Sequence, residues 1–82
     1  MIGVIAVLID NKESVAEVNS ILSDYAGVIR GRMGIPSVGN EEHISVISLI
    51  VEINSDELGA LTGKLGNLKG VTVKSAFKSQ KS

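Results

Sequence analysis

Two arginines spaced two residues apart are the best candidates for ligand chemistry in this chain. Arg30 and Arg32 lie in a β-prone segment, and side chains two positions apart on a strand point to the same side. Their planar guanidinium groups suit carboxylate or phosphate oxygens, and Gly31 and Gly34 beside them leave room for an anion. The alternative is that the charges protect an edge strand from aggregation. We therefore expect either an anionic effector at a subunit contact or a charged sheet edge.

A second polar group surrounds the single histidine. His43 follows Glu41 and Glu42, and the three together could hold a metal ion. One imidazole is a poor basis for such a site unless several subunits meet on an axis. The alternative is an exposed histidine in a turn, and we predict neither a bound metal nor a cofactor.

Asp10 and Asn11 form a third candidate, between the first strand and the first helix. They could contact a small effector there. The alternative is helix capping, with Asp10 as the N-cap and Glu13 three residues later.

The residues do not support an enzyme. The chain has no cysteine, and its histidine has no serine partner at a recognisable spacing. A phosphate-binding loop needs four residues between its glycines and a Ser or Thr after its lysine, whereas three residues separate Gly59 from Gly63 and Leu65 follows Lys64. We instead predict that Gly59, Gly63 and Gly66 let a helix lie close to the sheet or to a neighbour, with Lys64 at the surface.

Composition narrows the classes further. Eighty-two residues make one small domain, which we place at residues 1–78 with a polar tail at 79–82 that should fray. A net charge of −1 gives no general attraction to nucleic acid or to acidic membranes. The chain also lacks the sheet aromatics on which RNA-recognition domains stack bases. The absence of cysteine fits a reducing cytoplasm, which is the predicted location.

Two stretches that are apolar on both alternating faces set the architecture. These are Ile2–Ile9 and Ile44–Ile53. Because side chains alternate across a strand, both faces of these two strands should leave water. Helical spacing of apolar residues follows each stretch, from about Lys12 to Tyr25 and again from Asn54 or Ser55 to Gly70. Weaker strands, Val28–Ile35 and Val71–Phe77, complete the order βαββαβ.

The two halves align without a gap after a shift of 43 residues, which places Val18 on Leu61 and Val4 on Ile47. A tandem βαβ repeat predicts an α+β, ferredoxin-like sandwich: a four-stranded antiparallel sheet with two helices on one face. The doubly apolar strands then form the central pair. Their second face must lie against something else, most economically another copy of the chain. We expect a dimer or tetramer with an interface that includes Val46, Ile50, Val4 and Leu8.

The second half of the chain resembles a known family. It runs Leu58-Gly-Ala-Leu-Thr-Gly-Lys-Leu-Gly-Asn-Leu-Lys-Gly-Val-Thr-Val-Lys74, after an earlier Arg32-Met-Gly-Ile-Pro36. Both segments are similar to the regulators of the iron-only hydrogenase system. That family is grouped with ACT-like domains and with the C-terminal domain of the nickel-responsive repressor. The resemblance covers nearly the whole chain and implies a ferredoxin-like oligomer with a transcriptional or metabolic role.

Two departures from those relatives limit what the resemblance implies. The nickel site needs several histidines and a cysteine, which this chain lacks. The first loop, Asp10-Asn11-Lys12, has no glycine of the kind that amino-acid-binding ACT domains use. The leading hypothesis is therefore a homo-oligomeric regulatory or sensor module with a small effector at a subunit contact. The alternative is a ligand-free subunit that docks onto an enzyme or maturation factor.

Overall fold

A computed structural model describes residues 1–38 and 43–78. Its elements follow the predicted βαββαβ order, and the sheet order β2-β3-β1-β4 is antiparallel throughout. The predicted fold class and the central position of the two doubly apolar strands are thus confirmed. The elements are β1 (Ile2–Ile9), α1 (Val15–Asp24), β2 (Ile29–Val38), β3 (Ile44–Glu52), α2 (Ser55–Gly66) and β4 (Val71–Phe77), with short 3-10 turns at Lys12–Ser14 and Ala26–Val28.

The core lies between one face of the sheet and both helices. Alternate residues of the central strands point into it, so that Ile5, Val7 and Leu49 are fully buried. The helices contribute residues one turn apart. Burying such aliphatic side chains supplies most of the stability of a small domain. The remaining core residues are Ile9, Val18, Leu22, Ile47, Val51, Ile53, Leu61 and Leu65.

The two helix starts are built differently. Asn54 and Glu57 form a reciprocal capping box, with Asn54 Oδ1 2.7 Å from the Glu57 amide nitrogen. At the first helix the predicted N-cap, Asp10, is wrong. Asn11 caps the 3-10 turn Lys12–Ser14, and its Oδ1 accepts a hydrogen bond from the Glu13 amide at 3.0 Å, whereas α1 itself begins after Ser14 without a side-chain cap. The Asp10 carboxylate instead lies beside Gly70, and the Asp10 amide donates to the Gly70 carbonyl at 2.8 Å.

The 43-residue shift matches the helices but misaligns the central strands by one residue. It places Asn11 on Asn54, and both are caps. It also pairs exposed Val4 with buried Ile47, and buried Val7 with exposed Ile50. The extra residue is Asp10, since the first half reaches its cap two residues after Ile9 and the second half only one after Ile53.

Glycine has a clear purpose at two positions. A methyl group at Gly3 would overlap the Phe77 ring and the Ala76 carbonyl oxygen. Gly70 has a φ of +74°, a conformation that other residues avoid. By contrast, a Cβ at Gly59, Gly63 or Gly66 would meet nothing within 4 Å. The prediction that these three bring α2 close to the sheet is therefore wrong.

In the part of the chain that the structure describes, neither helix has the length and apolar character needed to cross a membrane. The predicted tail at residues 79–82 lies outside the described residues.

Candidate functional site

The side of the sheet opposite the helices is exposed and largely apolar. We call it the open face. All four predicted interface residues belong to it: Val4 pairs with Ile50 and Leu8 pairs with Val46 across the central strands. Ile50 is 52% exposed and Val4 is 44% exposed, whereas Leu8 and Val46 are partly buried. The other members are Ile2, Ala6, Gly31, Met33, Ile35, Ile44, Ser48, Glu52, Thr72, Lys74 and Ala76.

The exposure on this face is concentrated in large side chains. Met33 is 64% exposed, and Ile2 and Ile35 are at least half exposed. Scattered apolar residues are ordinary on a protein surface, whereas large contiguous apolar patches are typical of interaction sites. The described part of this face also holds a shallow cavity of about 380 Å³ beside Gly31, Met33, Ser48 and Ile50. This cavity is present on the open face because Gly31 has no side chain to fill it.

A β-bulge separates the two arginines that were predicted to point the same way. The pairing of β2 with β3 shifts between Ile29 and Gly31, so Arg30 is the extra residue and strict alternation fails there. Its guanidinium donates to the Gly27 carbonyl at 2.8 Å and lies 3.3 Å from a Glu52 carboxylate oxygen.

Arg32 lies beyond the bulge and has a different partner. It pairs with buried Leu49, which places it on the helix side of the sheet, and its Nη2 donates to Asn19 Oδ1 of α1 at 2.9 Å. Both arginines nevertheless line one cavity of about 320 Å³, together with Leu22, Ser23, Ala26, Ile29 and Gly31. The two arginines therefore share a cavity, while their guanidinium groups bind separate protein groups.

A second cavity, which the sequence did not predict, adjoins Arg32 on its other side. We call it the Arg32 cleft. It has a volume of about 220 Å³ and lies between α1 and the far half of β2. Its lining is mostly aliphatic, and its polar side chains are those of Asn19, Arg32 and Ser45. The sequence signal that could have predicted this cleft is Gly34. It has no side chain and lies two positions after Arg32 on the same strand.

Asp10 and Asn11 line none of these cavities. The Asn11 side chain caps the first helical turn, as described above, and the Asp10 carboxylate lies beside Gly70. Sequence reasoning missed Ser14, which is buried and donates from its hydroxyl to the Lys69 carbonyl at 2.6 Å. This corner joins the start of α1 to the turn that follows α2, and its hydrogen bonds have a structural role.

His43 has a serine neighbour that sequence spacing did not reveal. Ser37 Oγ lies 3.2 Å from His43 Nδ1, with Ser37 at a φ of +60°. Both side chains are exposed, and they line none of the cavities above. Glu41 and Glu42, the other members of the predicted metal site, lie outside the described residues. Within residues 1–38 and 43–78, no three acidic or histidine side chains come close enough to hold a metal ion.

Lys64 lies on the surface of α2, as predicted. Its ammonium nitrogen is 5.2 Å from the centre of the Tyr25 ring, a cation–π contact between the two helical segments. The glycine-lysine segment thus contributes packing at the surface rather than a phosphate loop.

The topology of the chain is that of an ACT-like, ferredoxin-like fold. The fold matches that of the ACT domain from the GTP pyrophosphokinase of Chlorobium tepidum with a TM-score of 0.69. Sequence identity to that domain is 20%, over 100% of this chain and 92% of that one, so the likeness concerns the fold alone.

The chain belongs to the TM1266-like family, whose model matches residues 1–75 and carries the description "Iron-only hydrogenase system regulator, putative". The resemblance predicted from the sequence is therefore confirmed. The chain is also similar to the solved structure of protein TM1266 from Thermotoga maritima, with 32% identity and a TM-score of 0.83 over 92% of each chain. No curated protein matches.

Proposed function

We propose that this protein is a non-enzymatic regulatory module that acts as a homo-oligomer, with copies packed open face to open face and a small effector bound near the subunit contact. The observation that carries the proposal is the exposed aliphatic surface on the side of the sheet that the helices leave bare. The family description, a regulator of the iron-only hydrogenase system, supports the regulatory part.

The energy available from this face is large for so small a domain. Full burial of an aliphatic side chain contributes about 1.5–3 kcal/mol, so a half-exposed residue such as Ile50 would gain about 1 kcal/mol. Five comparable residues are exposed: Ile2, Val4, Met33, Ile35 and Ile50. Their summed gain is comparable with the stability of a typical domain, about 5–15 kcal/mol. Such a gain supports close to obligatory association.

The polar groups support a non-enzymatic role. Nucleophilic catalysis needs a base that is itself held in place by a third group. The Ser37–His43 contact is exposed and lies away from every cavity described above. The arginines, by contrast, lie at cavities and offer binding rather than proton transfer.

A second candidate function uses the same open face. In that case the protein is a ligand-free subunit that docks onto an enzyme or maturation factor. An apolar face suits both a second copy of the chain and a different protein. The mass of the purified protein distinguishes these two partners. A stable oligomer favours the first candidate, whereas a monomer that forms a defined complex with another protein favours the second.

Light scattering on the eluting protein tests the proposal directly. The native chain should elute with the mass of a dimer or tetramer at micromolar concentration. Ile50→Asp places a charge in the middle of the open face and should give monomers or unfolded chain. Ser20→Asp, at an exposed position on α1, is the matched control and should leave the mass unchanged. A monomeric native protein, or an unchanged oligomer in Ile50→Asp, would refute face-to-face assembly.

A further inference from the structure

The Arg32 cleft exists because one position on β2 has no side chain. On the helix side of the sheet, Arg32 and Gly34 are consecutive β2 residues, opposite Leu49 and Ile47 of β3. Leu49 is fully buried, but Ile47 keeps 7% of its surface exposed, because nothing extends from Gly34 to cover it. Val15 and Asn19 of α1 form the opposite wall. The cleft is thus an aliphatic space with a guanidinium at its edge.

Among the described residues, no carboxylate lines this cleft to balance the charge of Arg32. Its one hydrogen bond within the described residues goes to the neutral amide oxygen of Asn19. A guanidinium has five N–H donors, so most of them are still available to an incoming group. Within residues 1–38 and 43–78, neither an aspartate nor a glutamate lines the cleft. Arg30 differs, because Glu52 lies 3.3 Å away and neutralises it.

We infer that the Arg32 cleft binds a short branched carboxylate that carries no amino group, such as a 2-oxo acid. The carboxylate would accept paired hydrogen bonds from Arg32, and the branched carbon chain would lie against Val15 and Ile47. The inference deepens the proposed function, on which it rests, by naming the chemical class of the effector.

Size and charge both restrict the ligand. The cleft, at about 220 Å³, has room for a branched chain of four or five carbons. A free amino acid would add an ammonium group beside the guanidinium of Arg32, where the described residues supply no carboxylate. Two like charges held close together repel each other. The site therefore selects against the amino group and against a bare inorganic anion, which would leave the aliphatic walls unused.

A titration with matched probes tests this inference. The four probes are 3-methyl-2-oxobutanoate, valine, 3-methylbutanamide and inorganic phosphate. Binding is followed by amide chemical shifts in ¹H–¹⁵N NMR spectra of the full chain. The oxo acid should give saturable shifts at Asn19, Gly34 and Ile47. Valine and phosphate should bind at least tenfold more weakly, and the neutral amide should cause no saturable shift at these residues.

Three variants locate the site. Arg32→Gln keeps a donor for Asn19 but removes the charge, and should weaken oxo-acid binding by about tenfold or more, since hydrogen bonds to charged groups are the strong ones. Gly34→Val should abolish binding by filling the cleft. A Cβ at Gly34 meets only the Ile47 side chain, at an ordinary 3.7 Å, so this variant should fold. Arg30→Gln is the matched control and should bind within about threefold of the native chain.

The contrary results are equally specific. No saturable binding, equal binding of valine or phosphate, or unchanged binding in Arg32→Gln would overturn the inference. So would loss of binding in Arg30→Gln alone. This test can fail separately from the test of the proposed assembly. If the protein is a monomer that binds the oxo acid, the inference about the cleft holds and the oligomer is refuted. If the protein is an oligomer that binds none of the probes, the assembly holds and the inference about the cleft is refuted.

Discussion

Glycine-to-alanine substitutions at two positions should change the free energy of unfolding in opposite directions. Gly63 lies in the middle of α2, and a Cβ there would meet no atom within 4 Å. Gly3 lies in β1, where a Cβ would overlap the Phe77 ring and the backbone carbonyl of Ala76. The same methyl group therefore enters open space in one case and a filled site in the other.

The magnitudes follow from these surroundings. In a helix interior alanine is favoured over glycine by about 0.8–1.0 kcal/mol, because it loses less backbone freedom on folding. Gly63→Ala should therefore stabilise the domain by about 1 kcal/mol. Overpacking costs about 1–3 kcal/mol. Gly3→Ala should fall at the upper end of that range, since a backbone atom on the paired strand cannot move aside as a flexible side chain can.

Urea unfolding followed by far-ultraviolet circular dichroism measures both values. All samples should have one protein concentration, because association makes apparent stability depend on concentration. For a domain of this size, 1 kcal/mol corresponds to about 4–8 °C in Tm, so the two variants should be clearly separated by heating as well. Gly59→Ala, one helical turn earlier, is the matched control and should behave like Gly63→Ala.

Two outcomes would refute this reasoning. If Gly63→Ala and Gly59→Ala destabilise the protein or change its mass in solution, the outer face of α2 is packed against another copy, and face-to-face assembly through the sheet is not the whole interface. If Gly3→Ala is neutral, the Phe77 ring and β4 do not pack on β1 as closely as described.

Two further predictions concern hydrogen bonds at the helix ends. Asn54→Ala removes a reciprocal capping box and should lower the free energy of unfolding in urea by about 1 kcal/mol, whereas Asn54→Asp should keep most of the native stability. Equal losses of stability in both variants would argue against the cap. Ser14→Ala leaves the partly buried Lys69 carbonyl without its donor and should lower the free energy of unfolding by about 1–3 kcal/mol. The exposed control, Ser20→Ala, should change it by almost nothing. If Ser14→Ala has no effect on stability, the carbonyl is satisfied by water.

Sequence patterning predicted the sheet because the alternation in its central strands is strong. Leu49 and Ile50 are adjacent in the chain, and Leu49 is fully buried while Ile50 is half exposed. Alternation identifies two faces but does not say which one the helices cover. The family resemblance came from the α2–β4 segment and from Arg32–Pro36, and only the second of these contains an arginine and lines the Arg32 cleft.

Single-residue irregularities account for what could not be predicted. The bulge at Arg30 and the additional Asp10 each shift a local pattern by one residue, and neither changes the hydrophobic periodicity around it. The Arg32 cleft depends on how far α1 lies from an edge strand, a distance that no local pattern encodes. The Ser37–His43 contact likewise depends on where β2 ends and β3 begins.

The open face and the Arg32 cleft are adjacent because both are built on β2. Ile35 and Val46 pair across β2 and β3, belong to the open face, and also line the cleft. In the proposed module, an effector in the cleft and a second copy on the open face would thus contact the same two residues. If the effector binds better when the second copy is present, thermodynamic linkage requires the second copy to bind better, by the same factor, when the effector is present. Ile35 and Val46 are where such differential contacts would lie, because an effector with equal affinity for both states shifts neither.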